Sequence, residues 1–141
     1  MMPPIFKPLV DVLQHEGCSL VVQDASGQLH TYNAPGVRDL EHLVKHEPRV
    51  LQGAVIADKV IGKAAAGLAL SGGVRAIYGQ LMSRKALPVL QAADVTYDWG
   101  TLVDQIVIPA GDNRCPLEQI VAQAETPQEI TQALFTHFKK Q

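Results

Sequence analysis

The chain has 141 residues, 47% of them hydrophobic and 18% charged, with a formal net charge of -2. That balance describes one globular domain long enough to bury a single core, and it excludes a disordered or strongly polyanion-seeking chain. Lys and Arg are scattered without the basic stripe of a nucleic-acid binder, and the apolar run at 60–70 carries Lys63 and is too short and glycine-rich for a membrane span. Two cysteines, Cys18 and Cys115, do not make a disulfide scaffold and fit a reducing compartment. The N-terminus lacks the basic region and apolar core of a secretory signal, so a cytoplasmic setting is expected. Low charge density leaves homo-oligomerisation open.

In chain order, Phe6, Leu9, Val10 and Leu13 fall at helical spacing and predict a helix over 6–16, ended by Gly17. A strand over 18–23, a turn at Ala25-Ser26-Gly27 and a partner strand over 28–32 predict a hairpin. Helical spacing returns over 37–47 and stops before Pro48. The segment that follows reads as a short strand over 53–57 and a helix of small apolar residues over 58–71, stopped by Gly72-Gly73. In this reading Asp58 stands where the helix begins, capping free N–H groups at the positive end of the dipole. A strand over 74–78 leads to a helix over about 83–93, with Ser83 as N-cap and Pro88 demanding a kink or a late start. Strands are expected over 95–99 and 102–108, then a loop through Arg114. A helix opens at Cys115-Pro116, and Thr126-Pro127-Gln128-Glu129 is a capping box for a last helix reaching about 140. Alternating strands and helices after an antiparallel hairpin argue for an α/β protein with a mixed sheet covered by helices.

The element order is that of the cytidine-deaminase-like three-layer α/β/α sandwich. Four segments, Asp58 to Ala66, Val74-Arg75-Ala76-Ile77-Tyr78-Gly79, Ser83-Arg84-Lys85-Ala86 and Asn113-Arg114-Cys115-Pro116-Leu117-Glu118, together resemble a family of uncharacterised bacterial and archaeal proteins with that fold. The likeness spans roughly residues 17–121 of a single domain covering 1–141, with the C-terminal helix at about 126–140 beyond it. It does not bring the zinc-deaminase motifs, a His-x-Glu at one helix start and a Pro-Cys-x-x-Cys at the next. Asp58-Lys59-Val60 stands at the first place, and Leu81 to Ala86, without a cysteine, near the second. Carboxylate and lysine there do not form a thiolate–imidazole zinc site, so hydrolytic deamination is not expected, nor is any metal or cofactor.

Asp58 is the first candidate residue, either as a plain helix cap or as a group that holds a polar ligand or serves as nucleophile or base. Lys59 and Lys63, read as one helical turn apart, would draw a phosphate to the helix start or simply form a solvated face. The 111–118 loop offers Asn113, Arg114, Cys115 and Glu118 to the same crevice. Arg114 suits phosphate or carboxylate, and Cys115 beside it at a helix start would gain thiolate character. Equally, Cys115 is a small core residue and Glu118 a first-turn charge. Ser83, with Arg84 and Lys85, is a third possible anion site or an ordinary cap. His42 and His46 lie at i, i+4 without a third ligand, and Tyr97 and Trp99 either line a pocket or pack. These residues favour a binding protein for a nucleotide or related phosphorylated small molecule in the former deaminase cleft. The alternatives are an enzyme with a zinc-independent reaction through Asp58 or Cys115, and a structural or partner-binding subunit.

Overall fold

Five strands and seven α-helices form in a computed structural model that describes residues 2–34, 36–106 and 116–139. A 3-10 turn (Pro4–Phe6) leads into α1 (Lys7–His15), with Pro8 in the first turn where its missing N–H costs nothing. Strands β1 (Leu20–Gln23) and β2 (Leu29–Tyr32) form the expected hairpin. The Asp24 carboxylate folds the turn by accepting the N–H groups of Ser26 at 2.9 Å and Gln28 at 3.1 Å. It also lies 2.8 Å from His30 Nε2. Helix α2 (Arg38–His46) carries Asp39 and Glu41 in its first turn and Lys45 and His46 in its last, complementing its dipole. A single turn, α3 (Pro48–Leu51), follows, too short to leave a periodic signal.

The largest difference from the sequence expectation comes next. Strand β3 runs Val55–Ile61, so Asp58 is a strand residue, and α4 (Lys63–Ser71) starts five residues later with Gly62 as its N-cap. Parallel pairing with β4 (Ala76–Ser83), as far as Ile61↔Met82, holds the chain extended past Asp58. An intrinsic cap preference at Asp58 is weaker than a ladder of backbone hydrogen bonds. Likewise the two strands expected over 95–99 and 102–108 are one strand, β5 (Thr96–Val103), as far as the described residues go. Gly100 is required inside the strand, since a Cβ there would meet the Gln80 carbonyl oxygen at 2.8 Å. Ser83 caps the turn at Arg84–Ala86 by accepting the Lys85 N–H, and Pro88 delays α5 to Leu87–Ala93. Helices α6 (Pro116–Ile120) and α7 (Pro127–Lys139) complete the chain.

The sheet order is β2-β1-β3-β4-β5, with β1 antiparallel to both neighbours and β3, β4 and β5 parallel. Alternation sends Val21, Val55, Ala57, Ala76 and Tyr78 to one face, under Phe6, Leu9 and Leu13 of the N-terminal segment. The other face buries Leu20, Val22, Ile56 and Ile77 under the remaining helices. Helix α4 is buried almost all round and packs on α2, α5 and α7, which is why small residues fill it. No helix among the described residues is long and apolar enough to cross a membrane.

The three parallel strands share one irregularity. Ile56 and Ile61, Ile77 and Met82, Tyr97 and Leu102 all join the same apolar cluster, although a spacing of five should place them on opposite faces. The ladder pairs Asp58↔Gly79 and Gly79↔Trp99, then resumes at Val60↔Leu81 and Leu81↔Thr101. The register is the same on both sides, so the break in the ladder at Lys59, Gln80 and Gly100 is aligned across all three strands. Beyond it, Ile61, Met82 and Leu102 join the same apolar cluster as Ile56, Ile77 and Tyr97.

At the C-terminus, the Thr126–Glu129 capping box forms as expected: Thr126 Oγ1 accepts the Glu129 N–H, and Glu129 Oε1 accepts the N–H groups of Thr126 and Glu125. Thr126→Ala should lower stability by about 1 kcal/mol. An unchanged urea midpoint would show that the box contributes nothing.

Candidate functional site

Because β3 and β4 are parallel and both feed helices, their carboxyl ends open on the same side of the sheet. Open α/β sheets place ligand crevices there. Lys63 is the second residue past the end of β3 and Lys85 the second past the end of β4, so equal offsets from paired strands bring the two lysines to one cleft. The cleft encloses about 240 Å³ and is lined by Lys63, Lys85, Glu118 and Ala122. No side chain caps the amino end of α4, whose N-cap is Gly62, so the positive end of that dipole adds to the cleft.

Each lining group is already positioned. Lys63 Nζ donates to the Ala122 carbonyl at 3.3 Å and makes no ion pair among the described residues. Lys85 Nζ lies 3.2 Å from Glu118 Oε2, and Glu118 Oε1 accepts the Ile106 N–H at 3.2 Å. The Glu118 side chain is only 11% exposed, so this pair is better shielded than the Arg84–Asp104 pair nearby, whose side chains are 59% and 91% exposed. Two lysines against one carboxylate leave the lining with one net positive charge.

The TM1506 domain of unknown function (DUF1893) matches residues 8–138 of this sequence. The chain belongs to the DUF1893 family. Among solved structures, the DUF1893 family protein TM1506 from Thermotoga maritima superposes with a TM-score of 0.83 at 21% identity, over 97% of this chain and 92% of that one. At that identity the likeness carries the fold alone. No curated protein matches the chain.

In this DUF1893 domain the sequence candidates separate. Lys63 and Glu118 meet in the cleft, joined by Lys85, which the sequence offered with Ser83 and Arg84 as a separate anion site or an ordinary cap with an exposed basic pair. Its signal was positional, an offset of two past a parallel strand, and it required the strand end to be known. Ser83 is fully buried, caps the next turn, and its Oγ lies 3.5 Å from the Asp104 carbonyl. It holds Lys85 in place and does not line the cleft. Lys59 is an exposed residue of β3, so the i, i+4 helical pair with Lys63 does not exist. Asn113, Arg114 and Cys115 lie outside the described residues. His42 and His46 stack at 5.0 Å, with His42 Nε2 3.2 Å from Glu47. Tyr97 and Trp99 stack at 6.4 Å against the core.

Asp58 needs a different account from the one its composition suggests. It is 7% exposed and lies immediately before the break in the β3–β4 ladder. Its Oδ1 accepts the Val60 N–H at 3.2 Å, tying the carboxylate to the backbone of its own strand at the break in the ladder. Among the described residues no cation pairs with it. Burial pushes its carboxyl up to about 7, and the Asp39 carboxylate pushes the same way, while the Val60 and Lys59 N–H groups oppose. Asp58 is therefore neither the helix cap nor a lining residue of the cleft; its visible work is on the backbone of β3.

Proposed function

We propose that this DUF1893 domain is a binding protein for a small phosphorylated molecule, of the nucleotide or sugar-phosphate kind, held in the cleft between the start of α4, the Arg84–Ala86 turn and α6. The observation that carries this reading is the convergence of Lys63, at the uncapped start of α4, and Lys85, in the Arg84–Ala86 turn before α5, at the carboxyl ends of two adjacent parallel strands. The strand order β2-β1-β3-β4-β5 with an antiparallel first hairpin also supports a cytidine-deaminase-like ancestry for the crevice. Lys63 supplies the phosphate contact, because its charge is not already neutralised by a paired carboxylate among the described residues.

Isothermal titration and thermal shift with nucleotides, nucleosides and sugar phosphates test this. At least one phosphorylated class should stabilise the chain while its dephosphorylated counterpart does not. Lys63→Ala should weaken that binding at least about tenfold, the scale of a lost charge-assisted hydrogen bond. Wild-type affinity in both Lys63→Ala and Lys85→Ala would overturn the reading, as would a lack of response to every phosphorylated class.

A further inference from the structure

The cleft already contains an anion of its own. Glu118 is an acceptor-only group whose two oxygens each hold one described donor, Lys85 Nζ and the Ile106 N–H. A carboxylate has about four lone-pair sites, so each oxygen retains capacity toward the cleft that it lines. The Ala122 carbonyl, which takes the Lys63 ammonium, is a second acceptor in the same wall. The lining is thus polarised, with a cation at Lys63 and an acceptor wall at Glu118 and Ala122. Its volume of about 240 Å³ falls below the roughly 300–1,000 Å³ of sites for drug-sized ligands.

We propose that Glu118 is the specificity-determining residue of this cleft: it occupies Lys85 as an internal anion, and so selects a ligand with one phosphate for Lys63 and hydroxyl donors for its own carboxylate. The chemical class is a phosphomonoester of a small polyol, a sugar phosphate. Free phosphate is disfavoured because it brings charge toward Glu118 and few donors to satisfy it, and a polyphosphate chain is disfavoured by the same repulsion. Glu129, the other carboxylate within electrostatic reach of Lys63, is held by the backbone N–H groups of Glu125 and Thr126 and leaves the lysine to the cleft. The inference rests on the reading of the cleft as a phosphate-binding site.

Calorimetric titration of the full chain at low ionic strength with inorganic phosphate and with ribose 5-phosphate tests it, on wild type, Glu118→Gln and Lys85→Met. Wild type should prefer ribose 5-phosphate by at least about tenfold. Glu118→Gln keeps an acceptor for the Ile106 N–H but removes the charge, and should bind inorganic phosphate at least about tenfold tighter, erasing the preference. Lys85→Met leaves Glu118 unneutralised and should weaken inorganic phosphate at least about tenfold. A merely structural pair would move both variants in the same direction. If both probes bind but the ratio of their affinities is unchanged in Glu118→Gln, the role of Glu118 is overturned and the phosphate-binding reading survives. If neither probe binds wild type or Glu118→Gln, the sugar-phosphate assignment is overturned, and the binding reading falls with it when nucleotides also fail to bind. Should Glu118→Gln not fold, Lys85→Met decides alone: unchanged phosphate affinity in it overturns the proposal.

Discussion

Asp58→Asn should make the protein more stable than wild type at pH 8 and should flatten the pH dependence of its stability between pH 4 and 8. The Asp58 carboxyl keeps its proton up to about pH 7 in the folded chain, against an ordinary value of 3.8 once unfolded. Between those values the folded state holds more protons, so stability falls as pH rises. The contribution is fully present below the unfolded value and is lost as pH climbs through the folded one. About three pH units correspond to at most about 4 kcal/mol, and relaxation around the buried charge will reduce that figure. Asparagine retains an oxygen for the Val60 N–H and carries no charge, so it keeps the contact and removes the penalty. Asp58→Ala removes both and should be destabilising at pH 5, where the wild-type carboxyl is neutral. Urea midpoints at pH 5 and pH 8 for the three proteins decide the matter. A wild-type midpoint that does not fall with pH, or that falls equally in Asp58→Asn, would show that Asp58 is solvated and ordinary.

Gly67→Val should cost about 3 kcal/mol, the upper part of the overpacking range. Gly67 lies in the middle of α4 at its crossing with α7, and a Cβ there would come within 2.6 Å of Ile130 Cβ and 2.8 Å of Ile130 Cδ1. Ile130 Cβ is tied to the α7 backbone and cannot swing aside as a side-chain tip can, so the helices must separate. Separation would open the contact that keeps α7 on the core and would disturb the neighbouring α6, which carries Glu118. In an Ile130→Ala background the same substitution should cost much less, because the obstructing atoms are gone. Equal costs in both backgrounds, measured by urea unfolding, would place the strain elsewhere.

What could be read locally in the chain was determined locally. The Thr126–Glu129 box and the turn at Ala25-Ser26-Gly27 act through bonds reaching no more than about four residues and form where expected, and Pro88 imposes the late start of α5. The hairpin and the mixed sheet followed because the turn and the alternation of elements are also short-range patterns. The limits of β3 and β5 were not local. Asp58 has the chemistry of a helix cap, but Leu20, 38 positions earlier, and Gly79, 21 positions later, pair with it in the sheet. Nothing within reach of Asp58 in the sequence announces those partners, nor the break in the ladder aligned across three strands. The candidate site divides in the same way. Lys63 was recognisable as a charge amid small apolar residues, Glu118 as a member of the 111–118 segment and Lys85 as part of a separate anion site, whereas their convergence became visible only once the strand ends were known. The sequence by itself determined that strands alternate with helices after an antiparallel hairpin and where the last helix is capped, because those preferences are set by neighbouring side chains and backbone. Only the tertiary structure decided that Asp58 is a strand residue and that Lys63, Lys85 and Glu118 share one cleft, because long-range hydrogen-bond ladders and helix packing outweigh local propensity.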